Sequence, residues 1–383
     1  MINGENGRRF YRTREPVILT VLSALAVVFF LAVTGLSHFY AGQQESLGTR
    51  WFTRGVRDLK KQRFQAAVSE LRTALLYSRE NYSYQLNLAE ALLGEGRRDE
   101  SSAYLVNLWE REPENGQVNL DLAYIAVQKG ENEQALRFYH NAIYATWPGN
   151  QEVERRGTRL QLIEFLLGIH DTTQAQSELI ALAANLDDDP SQHTRVGNLF
   201  FQARDYEHAL AEYSLSLKSE PQNPAALAGA GRAAFELGRY APAQRYLESA
   251  VTDNPGDTQL ADQLKDTALV LRMDPFRRQI PFAQKNRIVI EAFTTAGERL
   301  KSCAAAGNAH GPVTSSGSQQ SLAENWTKMK PQITESGLRR DPELAERAMD
   351  LVFKIERQAN VDCGAPTGMD MALLLISKLH EGN

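Results

Sequence analysis

The sequence is poor in the residue types that build metal centres and thiol chemistry. Its 383 residues include two cysteines, which lie sixty residues apart and so do not form a zinc or redox motif. The seven histidines include no pair at the H-x-x-x-H spacing, which would place two imidazoles on one helix face. The acidic run Asp187–Asp189 lacks the alternating ligands of a calcium loop, and we interpret it as a solvated turn. We therefore predict no metal and no cofactor.

Positive charge is not in excess either. Lysine and arginine total 42 against 47 aspartate and glutamate residues, a formal net charge of −5. A chain without a basic surplus lacks the electrostatic attraction that drives nucleic-acid binding. The serine-rich segment 314–321 has the composition of a linker rather than of a nucleophile turn, and we find no other catalytic constellation. We expect neither nucleic acid nor a small-molecule substrate as a ligand, and we do not expect an enzyme.

Residues 229–234, GAGRAA, match the dinucleotide-binding pattern G-x-G-x-x-G/A. In a phosphate site this pattern follows a strand and opens a helix, so that free backbone N–H groups point at the anion. Here the preceding residues 221–228, PQNPAALA, indicate a turn and the start of a helix. The glycines then fall in mid-helix, where the N–H groups are already bonded, and nucleotide binding is not expected.

One long apolar segment lies near the start of the chain. No Asp, Glu, Lys or Arg occurs from Pro16 to Gln44, and the central stretch Val17–Ser37 has 21 residues. At about 1.5 Å per residue, this length spans a hydrocarbon core of roughly 30 Å. We interpret residues 16–39 as an uncleaved transmembrane anchor. The alternative is a signal peptide, whose apolar region is normally about 7–15 residues with small residues at the cleavage site; here Phe39 occupies the −3 position of a cut after Ala41.

The charges flanking this segment predict its orientation. Arg8, Arg9, Arg12 and Arg14 lie on the N-terminal side, whereas the first cation on the other side is Arg50. The positive-inside rule then places residues 1–15 in the cytoplasm and the rest of the chain beyond the membrane. We predict a single-pass protein of an inner (cytoplasmic) membrane, with its C-terminal part outside the cytoplasm, in the bacterial periplasm.

The middle of the chain repeats itself. Counting back from Ala243, a small residue recurs at steps of 34, 34, 40, 34 and 34 residues, and a large apolar residue follows each small one after four positions. The small positions are Ala243, Ala209, Ala175, Ala135, Ser101 and Ala67, and the large ones are Leu247, Tyr213, Leu179, Tyr139, Leu105 and Leu71. A period of this length indicates stacked supersecondary units.

Each unit has the pattern of a helical hairpin. Apolar residues fall at helical intervals on two stretches of about a dozen residues, which in the last unit are Pro224–Leu237 and Ala241–Thr252. Gly96, Gly130 and Gly238 stand where the first helix should end, because glycine readily adopts the left-handed conformation that ends a helix. Small residues let the two helices of a hairpin approach closely, and large residues fill the space between hairpins.

The order of small residue, alanine, aromatic or leucine, and then proline resembles the tetratricopeptide repeat family over residues 48–257. The family implies an all-α solenoid of about six helical hairpins. The expected units are 48–81, 82–115, 116–149, 156–189, 190–223 and 224–257. The first unit departs from the pattern with Arg79 in place of proline, and the fourth with six extra residues, 150–155, and Ile163 at its small position.

The resemblance implies a concave surface that is built by the first helices of the hairpins and that binds peptides or a partner's helix. Mapping the family geometry onto this chain gives thirteen candidate protein-binding residues. They are Phe52, Val56, Leu86, Glu90, Leu120, Tyr124, Leu160, Glu164, Thr194, Asn198, Phe201, Arg232 and Phe235. The mixture of apolar and polar groups predicts a partner with apolar anchors and some hydrogen bonding. The alternative is that several of these residues belong to the solenoid core or to bare surface.

The remaining chain shows no family resemblance. We predict a capping helix at 258–273, a helix within 274–303, a flexible linker at 304–320 and a helical C-terminal region at 321–383. Cys303 and Cys363 flank the linker. In an oxidising compartment they would form a disulfide that closes a loop of about 60 residues and stabilises the fold by roughly 4 kcal/mol. The alternative is two buried thiols.

These features predict a membrane-anchored scaffold that recruits or assembles envelope proteins through its concave surface. The membrane would be contacted through residues 17–37. One alternative keeps the binding role and reverses the topology, giving a cytosol-facing organelle receptor for client chains. Another is an enzyme with its site in the C-terminal region.

Overall fold

The computed structural model describes residues 8–307 and 316–380. Within these ranges every regular secondary-structure element is helical: there are eighteen α-helices and one short 3-10 helix. The predicted all-α class is therefore confirmed. Residues 1–7 of the predicted cytoplasmic segment, residues 308–315 of the predicted linker and residues 381–383 lie outside the described residues. The chain divides into two compact units, residues 1–165 and 166–383.

The first unit consists of successive antiparallel helices, paired as α1 with α2, α3 with α4 and α5 with α6. Their bounds are α1 (Arg8–Lys60), α2 (Phe64–Tyr77), α3 (Tyr82–Gly94), α4 (Arg98–Arg111), α5 (Gly116–Lys129), α6 (Asn132–Tyr144) and α7 (Gln151–Gly168). The extra residues 150–155 therefore lengthen the first helix of the fourth hairpin, because α7 begins at Gln151 and has 18 residues.

Helix α1 joins the apolar segment to the first hairpin without a break. It has 53 residues, so the interval between the predicted anchor and the first repeat is helical rather than a loop. Among the described residues, the part beginning at Val17 is the one helix that is long and apolar enough to cross a membrane. No other described part of the chain covers its apolar side chains; Phe29, for example, is 73% exposed.

The second unit contains the remaining hairpins and the C-terminal helices. Its elements are α8 (Thr172–Ala183), α9 (Pro190–Gln202), α10 (Tyr206–Ser219), α11 (Pro224–Glu236), α12 (Tyr240–Asp253), α13 (Thr258–Met273), α14 (Phe282–Gly307), α15 (Ser316–Met329), a 3-10 turn (Lys330–Gln332), α16 (Glu335–Arg340), α17 (Glu343–Cys363) and α18 (Met369–Leu379). The predicted capping helix coincides with α13.

The repeat positions form the interior of the hairpins. All six small residues have 0% exposure, and the six large ones are at most 5% exposed. Gly55, Gly197 and Gly231 lie directly against Leu71, Tyr213 and Leu247, so that a Cβ added at any of them would overlap the larger side chain. At the one small position that is not alanine, the Ser101 hydroxyl donates a hydrogen bond to the Ala89 carbonyl oxygen at 2.8 Å, which satisfies the buried polar group.

Polar caps fix where the first helices begin. The side chain of Asn81 accepts a hydrogen bond from the Tyr84 N–H at 3.1 Å, and that of Asn223 accepts one from the Ala226 N–H at 3.0 Å. Each cap satisfies a backbone N–H that has no partner within its own helix. The predicted turn glycines have positive φ, as at Gly130 (73°), which confirms their role in ending the first helices.

The C-terminal helices cover the end of the second unit instead of forming a separate core. Val270 and Met273 on α13 share one apolar cluster with Phe293 on α14, Val352 on α17 and Leu373 on α18. The predicted linker at 304–320 is wrong at both ends, since α14 continues to Gly307 and α15 begins at Ser316. Tertiary contacts explain the difference, because the Gln319 amide donates to the Asp362 carboxylate at 2.7 Å.

A disulfide ties two of these helices together. Cys303 near the end of α14 is bonded to Cys363 at the end of α17, with the two Cα atoms 5.6 Å apart. That separation is ordinary for a disulfide. The structure thus contains the predicted pair, and the alternative of two buried thiols does not describe it.

The contact between Gly229 on α11 and Tyr213 can be tested by mutation. Gly229→Ala is expected to lower the free energy of unfolding by about 1–3 kcal/mol, as overpacking does, because the added methyl group would overlap the ring of Tyr213. Gly157→Ala is the control, since Gly157 lies inside α7 with open space around it; it should raise stability by roughly 0.5–1 kcal/mol through helix propensity. Denaturant unfolding followed by circular dichroism measures both, and effects of the same sign would contradict the packing role.

Candidate protein-binding surface

Within the first unit, the candidate residues lie on successive first helices and remain partly accessible. Leu86 and Glu90 on α3 and Leu120 on α5 are half-buried, and Tyr124 on α5 is 45% exposed. Phe52 on α1 differs, because it stacks on Tyr84 with 4.6 Å between ring centroids and packs against the core. The other members in this unit are the half-buried Val56 and Leu160 and the exposed Glu164. The unit therefore offers apolar and acidic groups.

In the second unit, most of the candidate residues are already engaged within the chain. The Asn198 side chain accepts a hydrogen bond from the Tyr213 hydroxyl at 2.7 Å. Arg232 lies 3.4 Å from the Asp257 carboxylate. The ring of Phe201 lies 5.2 Å from that of Tyr206, and Phe235 packs edge-on against Tyr240 at 5.6 Å. Because of these contacts, the candidate residues of the second unit are less available to bind a partner than those of the first unit.

The prediction for Thr194 is wrong. This residue is 7% exposed, and its hydroxyl forms a hydrogen bond with the Ser216 hydroxyl at 2.8 Å. Beside it, His193 Nδ1 lies 2.8 Å from a carboxylate oxygen of Glu212. Both pairs join α9 to α10 inside one hairpin. Leu86 and Leu120 occupy the same register in earlier hairpins and are half-buried, whereas Thr194 is buried against Ser216.

The sequence reading missed Asp121, a buried acid on α5 that follows the candidate residue Leu120 in the sequence. Asp121 is 9% exposed, and one of its oxygens accepts a hydrogen bond from the Gln117 amide at 2.8 Å. Burial, and next the negative charge of Glu90, raise the pKa of Asp121 to about 8. Burial also raises the pKa of Glu90 to about 7. No motif signals this pairing, since the two residues lie on different helices.

A second buried carboxyl group lies away from this surface, in the C-terminal helices. Glu356 on α17 has 0% exposure, and neither of its carboxyl oxygens bonds to a protein donor. Burial raises the pKa of Glu356 to about 8; Asp370 adds to the rise and Arg299 opposes it. The pKa of Asp370 is raised as well, mainly by burial. Glu356 is therefore mainly protonated at neutral pH. No cluster of three or more potential metal ligands occurs in the described part of the chain.

The fold and the surface together define an α-solenoid binding protein. Models of the tetratricopeptide repeat match residues 52–105, 86–150 and 200–265. These residues carry tetratricopeptide repeats, which support a protein–protein interaction scaffold. The matched ranges leave out the whole of the fourth predicted unit, 156–189, where α7 with 18 residues is longer than α3, α5, α9 and α11.

Several solved structures are similar to this chain. Pseudomonas aeruginosa pilF is 17% identical, with 57% of this chain and 97% of that chain covered and a TM-score of 0.41. The C-terminal part of a TPR repeat-containing protein from Cytophaga hutchinsonii is 12% identical, with 62% and 92% covered and a TM-score of 0.46. YrrB, described as a TPR protein with an unusual peptide-binding site, is 15% identical, with 50% and 95% covered and a TM-score of 0.40. No curated protein matches the chain.

The burial of Glu356 predicts a specific dependence of stability on pH. Its pKa in the folded state, about 8, lies above the ordinary value of 4.5. The stabilising contribution of the neutral form is therefore complete below pH 4.5 and is lost as pH rises through about 8. Between those values the loss is about 1.4 kcal/mol per pH unit. Glu356→Gln should remove this slope and gain stability over the wild type as pH rises.

Thermal unfolding at pH 5.5, 6.5 and 7.5 measures the difference between the variants. Glu346→Gln is the matched control, because Glu346 is an exposed acid on the same helix. It should keep the slope of the wild type. Parallel curves for wild type and Glu356→Gln would refute the buried neutral carboxyl.

Proposed function

We propose that this chain is a membrane-anchored scaffold that recruits or assembles envelope proteins outside the cytoplasm. The observation that carries the proposal is the continuity of α1, which links an uncovered apolar segment to the first hairpin in a single helix. An uncovered apolar helix of this length is unfavourable in water and favourable in lipid. The scaffold is thereby held next to the bilayer.

The orientation is supported by two independent features. The four arginines between positions 8 and 14 precede the apolar segment, and no cation follows it until Arg50, which agrees with the positive-inside rule. The Cys303–Cys363 disulfide suits an oxidising compartment, since the cytosol keeps thiols reduced. A periplasmic location of the binding surface satisfies both. The reversed topology, with a cytosolic receptor, satisfies neither.

The binding role is proposed for the accessible first-helix residues of the first unit. Leu86, Leu120 and Tyr124 supply partly exposed apolar surface next to acidic groups. Aromatic and aliphatic anchors amid polar groups are typical of surfaces that hold peptide segments. The partners are accordingly proteins or peptides rather than small molecules.

A photo-crosslinking amino acid placed at Tyr124 tests the binding surface in intact cells. We expect a discrete protein adduct from position 124, which lies on a first helix. Position 144 is the matched control, because Tyr144 is 74% exposed but lies on the second helix α6 of the same hairpin. Leu86→Ala should reduce the adduct at 124. No adduct at 124, or the same adducts from both positions, would show that this face is not the binding surface.

The state of the cysteines tests the topology. Protein extracted from cells under acid quench and mapped by mass spectrometry without reduction should show Cys303 and Cys363 joined. Co-expression of the same chain without residues 1–40 provides a cytosolic control, in which the two thiols should be free. Free thiols in the full-length membrane protein would contradict the proposed orientation while leaving the binding role intact.

A further inference from the structure

One residue in each hairpin turn has a left-handed backbone, and in two successive hairpins of the second unit this residue has a long polar side chain. The residues at this position are Gln62, Gly96, Gly130, His170, Arg204 and Gly238, with φ between 57° and 84°. Glycine takes this conformation without the Cβ clash that other residues meet. A histidine and an arginine therefore stand at positions where other hairpins of the same chain have glycine.

His170 and Arg204 line one cleft at the surface of the second unit. The cleft has a volume of about 470 Å³ and is completed by Leu167, Thr172 and Gln202. It joins the turns of two neighbouring hairpins, because Thr172 begins α8 and Gln202 ends α9. His170, Gln202 and Arg204 are exposed, so the cleft is open to a partner. None of the five residues is a candidate for the concave surface.

Hydrogen bonds hold the two sides of the cleft in place. The Gln176 amide on α8 donates to the Ala203 carbonyl oxygen at 2.8 Å, which ties α8 to the turn that carries Arg204. Within that turn, the backbone N–H of Arg204 donates to the Phe201 carbonyl oxygen at 3.0 Å. A ligand that enters the cleft meets side chains on a backbone that is already fixed, which lowers the entropy lost on binding.

The polar side chains of the cleft all offer hydrogen-bond donors. Arg204 is a permanent cation with a planar fork of N–H groups, and the His170 imidazole has an N–H in either charge state. Thr172 and Gln202 add a hydroxyl and an amide group. Within the described part of the chain, none of these four side chains has a hydrogen bond or an ion pair, and the lining contains no carboxylate. The cleft therefore suits a negatively charged group that accepts hydrogen bonds.

The acids next to the two turns are engaged elsewhere. Asp171 caps α8, since its side chain accepts a hydrogen bond from the Gln174 N–H at 3.1 Å. Asp205 caps α10 by accepting from the His208 N–H at 3.2 Å, and its other oxygen lies 2.7 Å from His208 Nδ1. Neither acid lines the cleft. The charge of Arg204 is thus available to a ligand.

The charge of the lining favours a carboxylate over a phosphate. A phosphate monoester carries about −1.5 to −2 at neutral pH, whereas Arg204 is the one permanent cation among the described residues that line the cleft. A carboxylate carries a single charge, and its two oxygens match two parallel N–H groups of a guanidinium. Leu167 adds a half-buried apolar wall, on which an apolar neighbour of the carboxylate can pack. The expected ligand is an acidic side chain beside an apolar residue.

We propose that this cleft binds the carboxylate of an aspartate or glutamate side chain in a partner polypeptide, with Arg204 as its ion-pair partner and His170 as a hydrogen-bond donor. The second unit thereby has a binding site of its own on the hairpin turns, although most of its concave-surface candidates are engaged within the chain. The inference rests on the proposed function in one respect, namely that the ligand belongs to a polypeptide.

Replacing the turn residues by glycine separates binding from folding. Arg204→Gly and His170→Gly keep the turn, because Gly96 and Gly238 occupy the same position in other hairpins. Thermal unfolding verifies that each variant is folded. Gln62→Gly is the matched control, since it makes the same change at an exposed left-handed residue that does not line the cleft.

Subtractive peptide display finds a ligand without a known partner. A library of random twelve-residue peptides is selected on the full-length chain in nanodiscs and then depleted on Arg204→Gly. The surviving peptides should have aspartate or glutamate enriched several-fold at one position next to an apolar residue, and His170→Gly should retain them more weakly than the wild type. Depletion on Gln62→Gly should remove this family of peptides, because the control keeps the cleft.

The outcomes separate this inference from the function on which it rests. Peptides that bind the wild type and Arg204→Gly alike, or survivors without an acidic residue, overturn the inference and leave the scaffold role standing. Retention of no peptide by any form overturns the inference and contradicts the peptide-binding role as well.

A double-mutant cycle with one selected peptide identifies the contact. Arg204→Gln should weaken binding about tenfold, and so should replacement of the peptide's acid by its amide. Both changes together should weaken it about as much as either alone, since they remove the same pair. Arg245→Gln, which removes an exposed cation from α12, should leave the affinity unchanged. Independent effects that multiply to about a hundredfold would overturn the inference.

Discussion

The contact of a small residue with a large one inside each hairpin is the constraint on which the rest of this structure depends. Where the first helix carries glycine, as at Gly55, Gly197 and Gly231, the large side chain of the second helix lies directly over its backbone. The helices pack this closely because no Cβ intervenes. In such dense packing, adding a single methyl group lowers the stability of the fold. Hairpin geometry is thereby fixed, and with it the face that every other residue of the unit occupies.

This constraint also explains why some candidate residues are available for binding and others are not. In the first unit the inward register leaves Leu86, Glu90 and Tyr124 without strong partners of their own. In the second unit, the candidate residues already contact other side chains of the chain. Asn198 bonds to Tyr213, Arg232 pairs with Asp257, and Phe235 packs against Tyr240. The repeat pattern sets the direction of a side chain, but the chemistry of the facing residue decides whether it stays free.

Sequence periodicity could predict the fold but only part of the candidate site. The repeat spacing located the hairpins, the buried alanines and the turn glycines, because these depend on distances along one helix pair. It could not reveal Asp121, whose pKa depends on burial and on Glu90 of a different helix, nor the burial of Thr194, which depends on the hydroxyl of Ser216. It also mistook residues 304–307 and 316–320 for linker, since their helical state depends on packing, including the contact between Gln319 and Asp362.

The continuity of α1 gives the proposed anchor a mechanical consequence. Packing against the first hairpin begins near Gly48, which lies against Tyr77 and Tyr84, whereas Gly35 and Gly42 have no neighbours. Between Ser37 and Gly48, about 16 Å of helix therefore stands alone, without a loop that could swivel. In the proposed topology, the rotation of the anchor in the bilayer is transmitted to the hairpin that begins at its end. The candidate surface of that compact unit is then presented at a set angle to the membrane, so a partner anchored in the same bilayer meets it with less orientational freedom to lose.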